Sequence, residues 1–300
     1  MYQYPKKFLS ITQLIQKLED AGMTISSSDE AENALTTIGY YRLKGYCFHL
    51  IDPVTQKYMA GTNFSDILKL YYFDSELSHL VFNYLSQIEV ALKSRLVNAF
   101  QITQDSLILH DPSAFKDKQL YWRNQGTLAS EISRSNDVFI EHNFNCHEGA
   151  IPIWASVEVM SFGTISKTIK NMKTGNNSAF SLLIQNYKFI NANGNTVNPS
   201  KDMFTSWIQA ASVMRNICAH NSRIYNRSIS TRPQLISSDV ITPQPQYNGL
   251  YQIILSMKYL RPSEESWISF VSDLKQLLNK YSGFYDIHRL NFPTDWENHL

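Results

Sequence analysis

Along most of the chain, apolar residues recur every three or four positions, and few stretches alternate strictly. The pattern is clearest from Ser65 to about Gln101. There Leu77, Val81, Leu85, Ile88, Leu92 and Leu96 keep steps of 3 and 4, and no Gly or Pro interrupts. That period predicts an amphipathic helix; its length allows one long helix or two with a break. Shorter segments carry start and stop signals. Ser10 with Gln13 forms a capping-box pattern before LIQKLEDAG, which Gly22 ends. SSSDEAENALTTIG reads as a second capped helix ending at Gly39. YYRLKGYCFHL, with Gly45 in its middle, fits either a helix edge or a short extended piece, and DPVTQKYMAGTNF a loop or small hairpin.

Residues 103–150 are less regular. Ala155 to Phe162 and Thr164 to Met172 read as two helices around Gly163, and Asn177 to Lys188 as another. FINANGNTVNPS reads as a polar loop, Asp202 to about Asn226 as a long helix, and TRPQLISSDVITPQPQYNG as a Pro-rich, extended excursion. Two last helices are predicted near Gly249–Tyr259 and Ser263–Tyr281. No internal repeat or clear linker appears. The chain is read as one unit in three parts: an N-terminal helical segment, 1–62, packed on a helical core, 63–230, followed by the excursion and C-terminal helices, 231–300.

Composition strengthens the all-α reading. Gly (11) and Pro (10) are scarce among 300 residues, whereas a β-rich fold needs turn residues every few positions. Three scattered cysteines, Cys47, Cys146 and Cys218, make no disulfide framework or CxxC motif; a reducing cytoplasm is expected. No apolar run approaches a membrane span, and the N-terminus lacks a secretory core.

Charge changes the picture more. The net charge is only +1. Between Val159 and Ser238, however, nine Lys and Arg face one acid, Asp202, giving 9 − 1 = +8 and leaving −7 for the rest. A local positive field in a near-neutral chain suits an anionic ligand; a solvated basic face is the alternative.

Within that segment lies R-N-I-C-A-H, Arg215 to His220. Helical spacing sorts Phe204, Trp207, Ile208, Ala211, Met214 and Cys218 onto an apolar face. Thr205, Gln209, Ser212, Asn216, His220, Arg223 and Arg227 form a polar stripe. Asn216 and His220 are an i,i+4 pair. Arg215 sits against the apolar face and, at roughly 100° per residue, points about 140° away from His220. One straight helix therefore cannot aim both at one phosphate. Either the helix distorts or a second copy of the chain completes the site.

These residue types suit cleavage of RNA. Imidazole moves protons near neutrality, a guanidinium gives phosphate a permanent forked charge, and an amide orients either. None of these roles requires a metal. Glu89, beside the apolar stripe of the long helix, either holds the Arg215 fork or pairs with Lys93 on an exposed face; Glu158 is a second candidate partner. Arg223, Tyr225 and Arg227, and Arg42 and Lys44 among tyrosines, are candidates for RNA contact, with core packing and snorkelling as the plainer account of Arg42 and Lys44. His142, Cys146 and His147 lack a fourth ligand at recognisable spacing, so no metal site is expected. Cys218 reads as an inert core thiol.

R-N-I-C-A-H resembles the R-x4–6-H signature of HEPN (higher eukaryotes and prokaryotes nucleotide-binding) domains. IGYYRLKGYCF at 38–48, FDSELSHLVFNYLSQIEVALKSRL at 73–96 and PIWASVEVMSFGTISK at 152–167 resemble the Abi-like (abortive infection, AbiD/AbiF-type) branch of those proteins, in the same order. The resemblance implies an all-α HEPN-type bundle and a homodimer whose two signatures meet. It also implies metal-independent endoribonuclease activity in toxin or phage-defence effectors, without a cofactor, leaving 2′,3′-cyclic phosphate and 5′-hydroxyl ends. Carried over, Arg215 binds phosphate, Asn216 is the polar residue after it, and His220 is the general base or acid. A restraining antitoxin is implied for some relatives, and the basic segment makes a small structured RNA a better fit than a protein. Some domains of this class only bind or dimerise, so a non-catalytic RNA-binding or dimerisation module is the alternative.

Overall fold

The first helices form where caps and glycines place them. In the computed structural model, which describes residues 7–239 and 249–300, α1 spans Ile11–Asp20. The Ser10 hydroxyl accepts the Gln13 N–H at 3.2 Å, and the Gln13 side chain accepts the Ser10 N–H at 2.8 Å. α2 spans Ser28–Thr37 behind its cap Ser27. Gly22 and Gly39 follow these helices at φ +92° and +93°, a left-handed region that Gly enters without steric cost. The aromatic stretch resolves into α3, Tyr40–Lys44, and a 3₁₀ turn at Phe48–Leu50.

The long periodic stretch is one helix. α4 runs unbroken over Phe64–Phe100, 37 residues, or roughly 55 Å at 1.5 Å per residue. Leu77, Val81, Leu85, Leu92 and Leu96 are fully buried and Ile88 nearly so, each contributing roughly 1.5–3 kcal/mol relative to exposure.

The irregular region holds α5, Lys118–Ser133, and α6, Val138–Cys146. α7, Ile153–Val159, and α8, Phe162–Asn171, divide at Met160 and Ser161 rather than around Gly163, which lies inside α8. The reason is a cap: the Ser161 hydroxyl accepts the Thr164 N–H at 3.3 Å. α9 is Ala179–Ile184. The segment read as a polar loop makes a small hairpin, β1 Phe189–Ile190 antiparallel to β2 Thr196–Val197. The Asn191 side chain closes it by accepting the N–H groups of Asn193 and Asn195, each at 3.0 Å.

α10, Lys201–Ala219, packs against α4, α8 and α11, Leu250–Leu260. α12, Glu264–Lys280, lies along α4. Phe204, Trp207, Ile208, Ala211 and Met214 of α10 are fully buried, so its predicted apolar face is the core face. Buried apolar side chains from Leu18 to Trp296 form one connected cluster. The molecule is all-α apart from the small hairpin among the described residues. Of the Pro-rich excursion, residues 240–248 lie outside those residues; the part before them is tied down where the Trp207 indole donates to the Gln234 carbonyl at 2.6 Å.

Candidate active site at the end of α10

The helix carrying Arg215 ends at Ala219, about seven residues earlier than its pattern predicts. Asn221 adopts φ +48°. Its N–H reaches the Cys218 carbonyl at 2.9 Å, and the Ser222 N–H reaches Ile217 at 3.0 Å. This pair of bonds is a Schellman motif, with Asn in the left-handed position usually held by Gly. His220 is therefore the C-cap residue, exposed, its own N–H on the Asn216 carbonyl at 3.1 Å. Its imidazole has no hydrogen-bond partner among the described residues.

The chain beyond is fastened by a residue the sequence reading passed over. Asp74, 2% exposed on α4, accepts the Tyr225 N–H at 2.7 Å, the Ile224 N–H at 3.1 Å and the Tyr46 hydroxyl at 2.7 Å. Burial raises its pKa above the ordinary carboxylate range, against the pull of those donors and the Arg223 charge. One signal was available: Asp74 stands among Leu70, Phe73 and Leu77 on the buried side of a strongly apolar helix, and a carboxylate there must find donors.

This ending relocates three candidates. Arg223, Tyr225 and Arg227 do not continue a helical stripe. The Arg223 guanidinium turns back onto the carbonyls of Tyr225 (2.8 Å) and Asn226 (3.2 Å), and Arg227 donates to the Arg223 carbonyl at 3.3 Å. Tyr225 is 1% exposed, packed edge-on against Phe73 and His49; its ring is core and is not offered to a ligand. Two members of the predicted polar stripe, Thr205 and Ser212, are buried. Arg42 is exposed, and one nitrogen donates to the Asn221 carbonyl at 2.5 Å. The Lys44 ammonium sits 6.0 Å over the Tyr40 ring.

The Arg215 end is built differently. Glu89, buried on α4, brings Oε2 to 3.3 Å from Arg215 Nε and Oε1 to 3.9 Å from Lys93 Nζ. Both predicted partnerships of Glu89 thus coexist, on a buried rather than an exposed carboxylate. The Arg215 Nε–H is not aligned on the carboxylate and has no hydrogen-bond acceptor, so the contact is one of charge, not a bidentate fork. With the Arg215 side chain 31% exposed, solvent screening limits it to about 1 kcal/mol. Arg215 Nη1 approaches Asn216 Oδ1 at 3.4 Å, and its Cζ lies 5.9 Å from the Phe82 ring centre. The Asn216 side chain therefore attends Arg215, whereas only its backbone meets His220. Glu158 is exposed and does not pair with Arg215; its backbone carbonyl accepts Lys93 Nζ at 2.8 Å.

Arg215, Glu89, Lys93 and Glu158 line an open cleft of about 610 Å³, together with Glu131 and Arg134. His220 does not line it. Within one chain, the two ends of R-N-I-C-A-H serve different surfaces, as their angular offset predicts. Among the described residues no group of three or more His, Cys, Asp and Glu is placed to hold a metal, and no helix is long and apolar enough to cross a membrane.

The model of one protein family, described as Abi-like protein, matches residues 33–226. That match covers 194 of 300 residues and spans α3, α4, the cleft and the whole of R-N-I-C-A-H. The chain belongs to the Abi-like protein family. No curated protein and no solved structure matches it.

Proposed function

We propose that this Abi-like chain is a metal-independent endoribonuclease of the HEPN class, acting as an effector of abortive infection. The observation that carries the reading is the Arg215 end of the signature. Its guanidinium is held by the charge of buried Glu89 at the wall of an open polar cleft, with Asn216 beside it. An Arg in that setting keeps its charge at any working pH and has donors left for phosphate oxygens.

The reaction needs three things. A base removes the 2′-hydroxyl proton, and the 2′-oxygen attacks the adjacent phosphorus. The P–O5′ bond then breaks, with a proton delivered to the leaving 5′-oxygen. Exposed His220 serves proton transfer, and Arg215 stabilises the charge on the phosphoryl oxygens. The products are a 2′,3′-cyclic phosphate and a 5′-hydroxyl.

Arg215 and His220 face apart in one chain, so the reading requires a twofold dimer in which one chain's Arg215 meets the other's His220. Val90 (68% exposed), next to Glu89, and Trp154 (56% exposed), one turn before Glu158, are the apolar surface such a partner would cover. The +8 segment favours RNA as substrate, and a small structured RNA over a protein as restraining antitoxin.

The test uses wild-type and His220→Ala protein with mixed structured RNAs in EDTA, followed by end mapping. Wild-type cleavage to cyclic-phosphate ends, reduced roughly 10²–10⁴-fold in the variant, supports the reading. Equal cleavage by both proteins defeats it. Tight RNA binding without cleavage by either supports the alternative, a non-catalytic binding or dimerisation module.

A further inference from the structure

A second polar cavity, about 350 Å³ in volume, opens where α10 ends. Its walls come from α2, α3, α4 and the turn after His220. Its lining includes Arg42, Tyr46, Tyr71, Asp74, Ser75 and Ser78. The turn contributes Asn221 and Ser222, the two residues that follow His220 in the chain. From these residues we infer that the cavity is a pocket for one unpaired ribonucleotide of the substrate, the one adjoining the bond on which His220 acts. The inference rests on the endoribonuclease reading above.

The distribution of charge selects the ligand class. The Asp74 carboxylate is already satisfied by Tyr46, Ile224 and Tyr225, so it forms a fixed polar floor rather than a free anion. The side-chain hydroxyls of Ser75 and Tyr71 carry no hydrogen bond among the described residues. They offer donor and acceptor capacity to a neutral polar edge. The one cation is Arg42. A single nitrogen is committed to the Asn221 carbonyl, and it has no carboxylate partner among the described residues. Arg42 at the rim, over an interior of hydroxyls, tyrosine rings and an Asp74 carboxylate committed to its own donors, fits one phosphate attached to an uncharged aromatic body. The cavity is in the size range of small-molecule sites. It is too roomy for phosphate alone and too poor in cations for a triphosphate. Unpaired bases held by aromatic walls and edge hydrogen bonds are how single-stranded RNA is usually read.

Full-length protein is titrated with each of the four ribonucleoside 3′-monophosphates by calorimetry, and RNA cleavage products are mapped in parallel. The variants are Ser75→Phe, which fills the cavity, Arg42→Met, which removes the charge from an exposed position, and His220→Ala. Near-UV circular dichroism reports whether each is folded, and Arg42→Met carries the test if Ser75→Phe is not. The expected result is binding of at least one nucleotide by wild type and by His220→Ala, weakened tenfold or more in both cavity variants, with a changed nucleotide preference at the cut. Absence of binding, or binding that both cavity variants retain, overturns the inference. If Ser75→Phe cuts at the wild-type rate and preference while His220→Ala does not cut, the pocket falls and the endoribonuclease reading stands. If the cavity variants lose nucleotide binding and no protein cuts RNA, the nucleotide pocket stands, its place beside a scissile bond falls, and so does the endoribonuclease reading.

Discussion

The two ends of R-N-I-C-A-H are five residues apart and are held by opposite means. Arg215 is positioned by side chains: Glu89 draws its charge, Asn216 meets its terminal nitrogen, and Phe82 lies close by. His220 is positioned by backbone. It ends the helix because Asn221 turns left-handed and because Asp74 holds the N–H groups of Ile224 and Tyr225 further on, while its imidazole has no hydrogen-bond partner among the described residues. A phosphate-binding cation gains from being pre-set in charge and direction, whereas a proton carrier must stay accessible. On the proposed reading, the arrangement gives each end the support its task needs.

The comparison breaks most visibly at Asp74. Asp74→Ala strips the acceptor from three buried donors, each worth roughly 1–3 kcal/mol when orphaned. The urea midpoint is expected to fall by the equivalent of about 3 kcal/mol or more, with RNA cleavage lost alongside. Asp74→Asn, which keeps one acceptor oxygen, should sit well inside that loss; an Asp74→Ala loss below about 1 kcal/mol would show that the carboxylate is not what fastens the turn.

At the Arg215 end the expected change is in rate rather than in folding. Glu89→Gln keeps the shape and removes the charge that draws Arg215 and Lys93. RNA cleavage should drop about tenfold, equivalent to about 1.4 kcal/mol of transition-state stabilisation, with a stability change near 1 kcal/mol. A variant that cuts RNA as fast as wild type would mean that Glu89 does not position Arg215.

Asn221 gives a smaller and more pointed contrast. Asn221→Gly should be close to neutral, because Gly takes the left-handed position freely. Asn221→Ala should lose about 1 kcal/mol in a thermal or chemical melt. Equal stability of the two would remove the cap from the account of where His220 sits.

The subtlest effect is one of pH. Burial, then the nearby Arg289 and Arg223 charges, lower the His49 pKa from 6.5 to about 4. Because the folded value is depressed, the unfolded chain binds a proton that the folded one refuses between those two values. Stability contributed by neutral His49 is thus complete above about pH 6.5 and is lost as pH falls toward 4. Denaturation midpoints followed across that window should decline in wild type and decline less in His49→Gln.

Much of this was legible in the sequence because it depends on neighbours in the sequence. The 3–4 spacing from Leu77 to Leu96 located α4, the Ser10–Gln13 box started α1, and Gly22 and Gly39 closed the first two helices. The angle between Arg215 and His220 followed from helical geometry alone. What failed depended on distant partners. The polar stripe through Arg223 and Arg227 kept helical steps, and nothing local distinguished Asn221 from another stripe residue. The end of α10 was decided by a carboxylate on α4, about 150 positions away. Tyr225 read as a surface aromatic for the same reason, since its burial depends on α4 and on the C-terminal segment, where the Asp286 N–H donates to its hydroxyl at 3.0 Å. Ser161 was missed as a cap because the neighbouring Gly163 was the louder signal.

Asp74 and Glu89 stand on the same unbroken helix, fifteen residues apart, or roughly 22 Å along its axis. One strut therefore carries both mountings, that of the turn behind His220 and that of Arg215, and fixes the interval between them as a caliper holds a gauge. A signal that worked by flexing the chain internally would have to bend α4 through its most densely buried turns. One that brought two chains together or drew them apart would leave the caliper untouched and still make or break the site. On the proposed dimer reading, the rigidity of α4 thus directs control outward, to the meeting of chains.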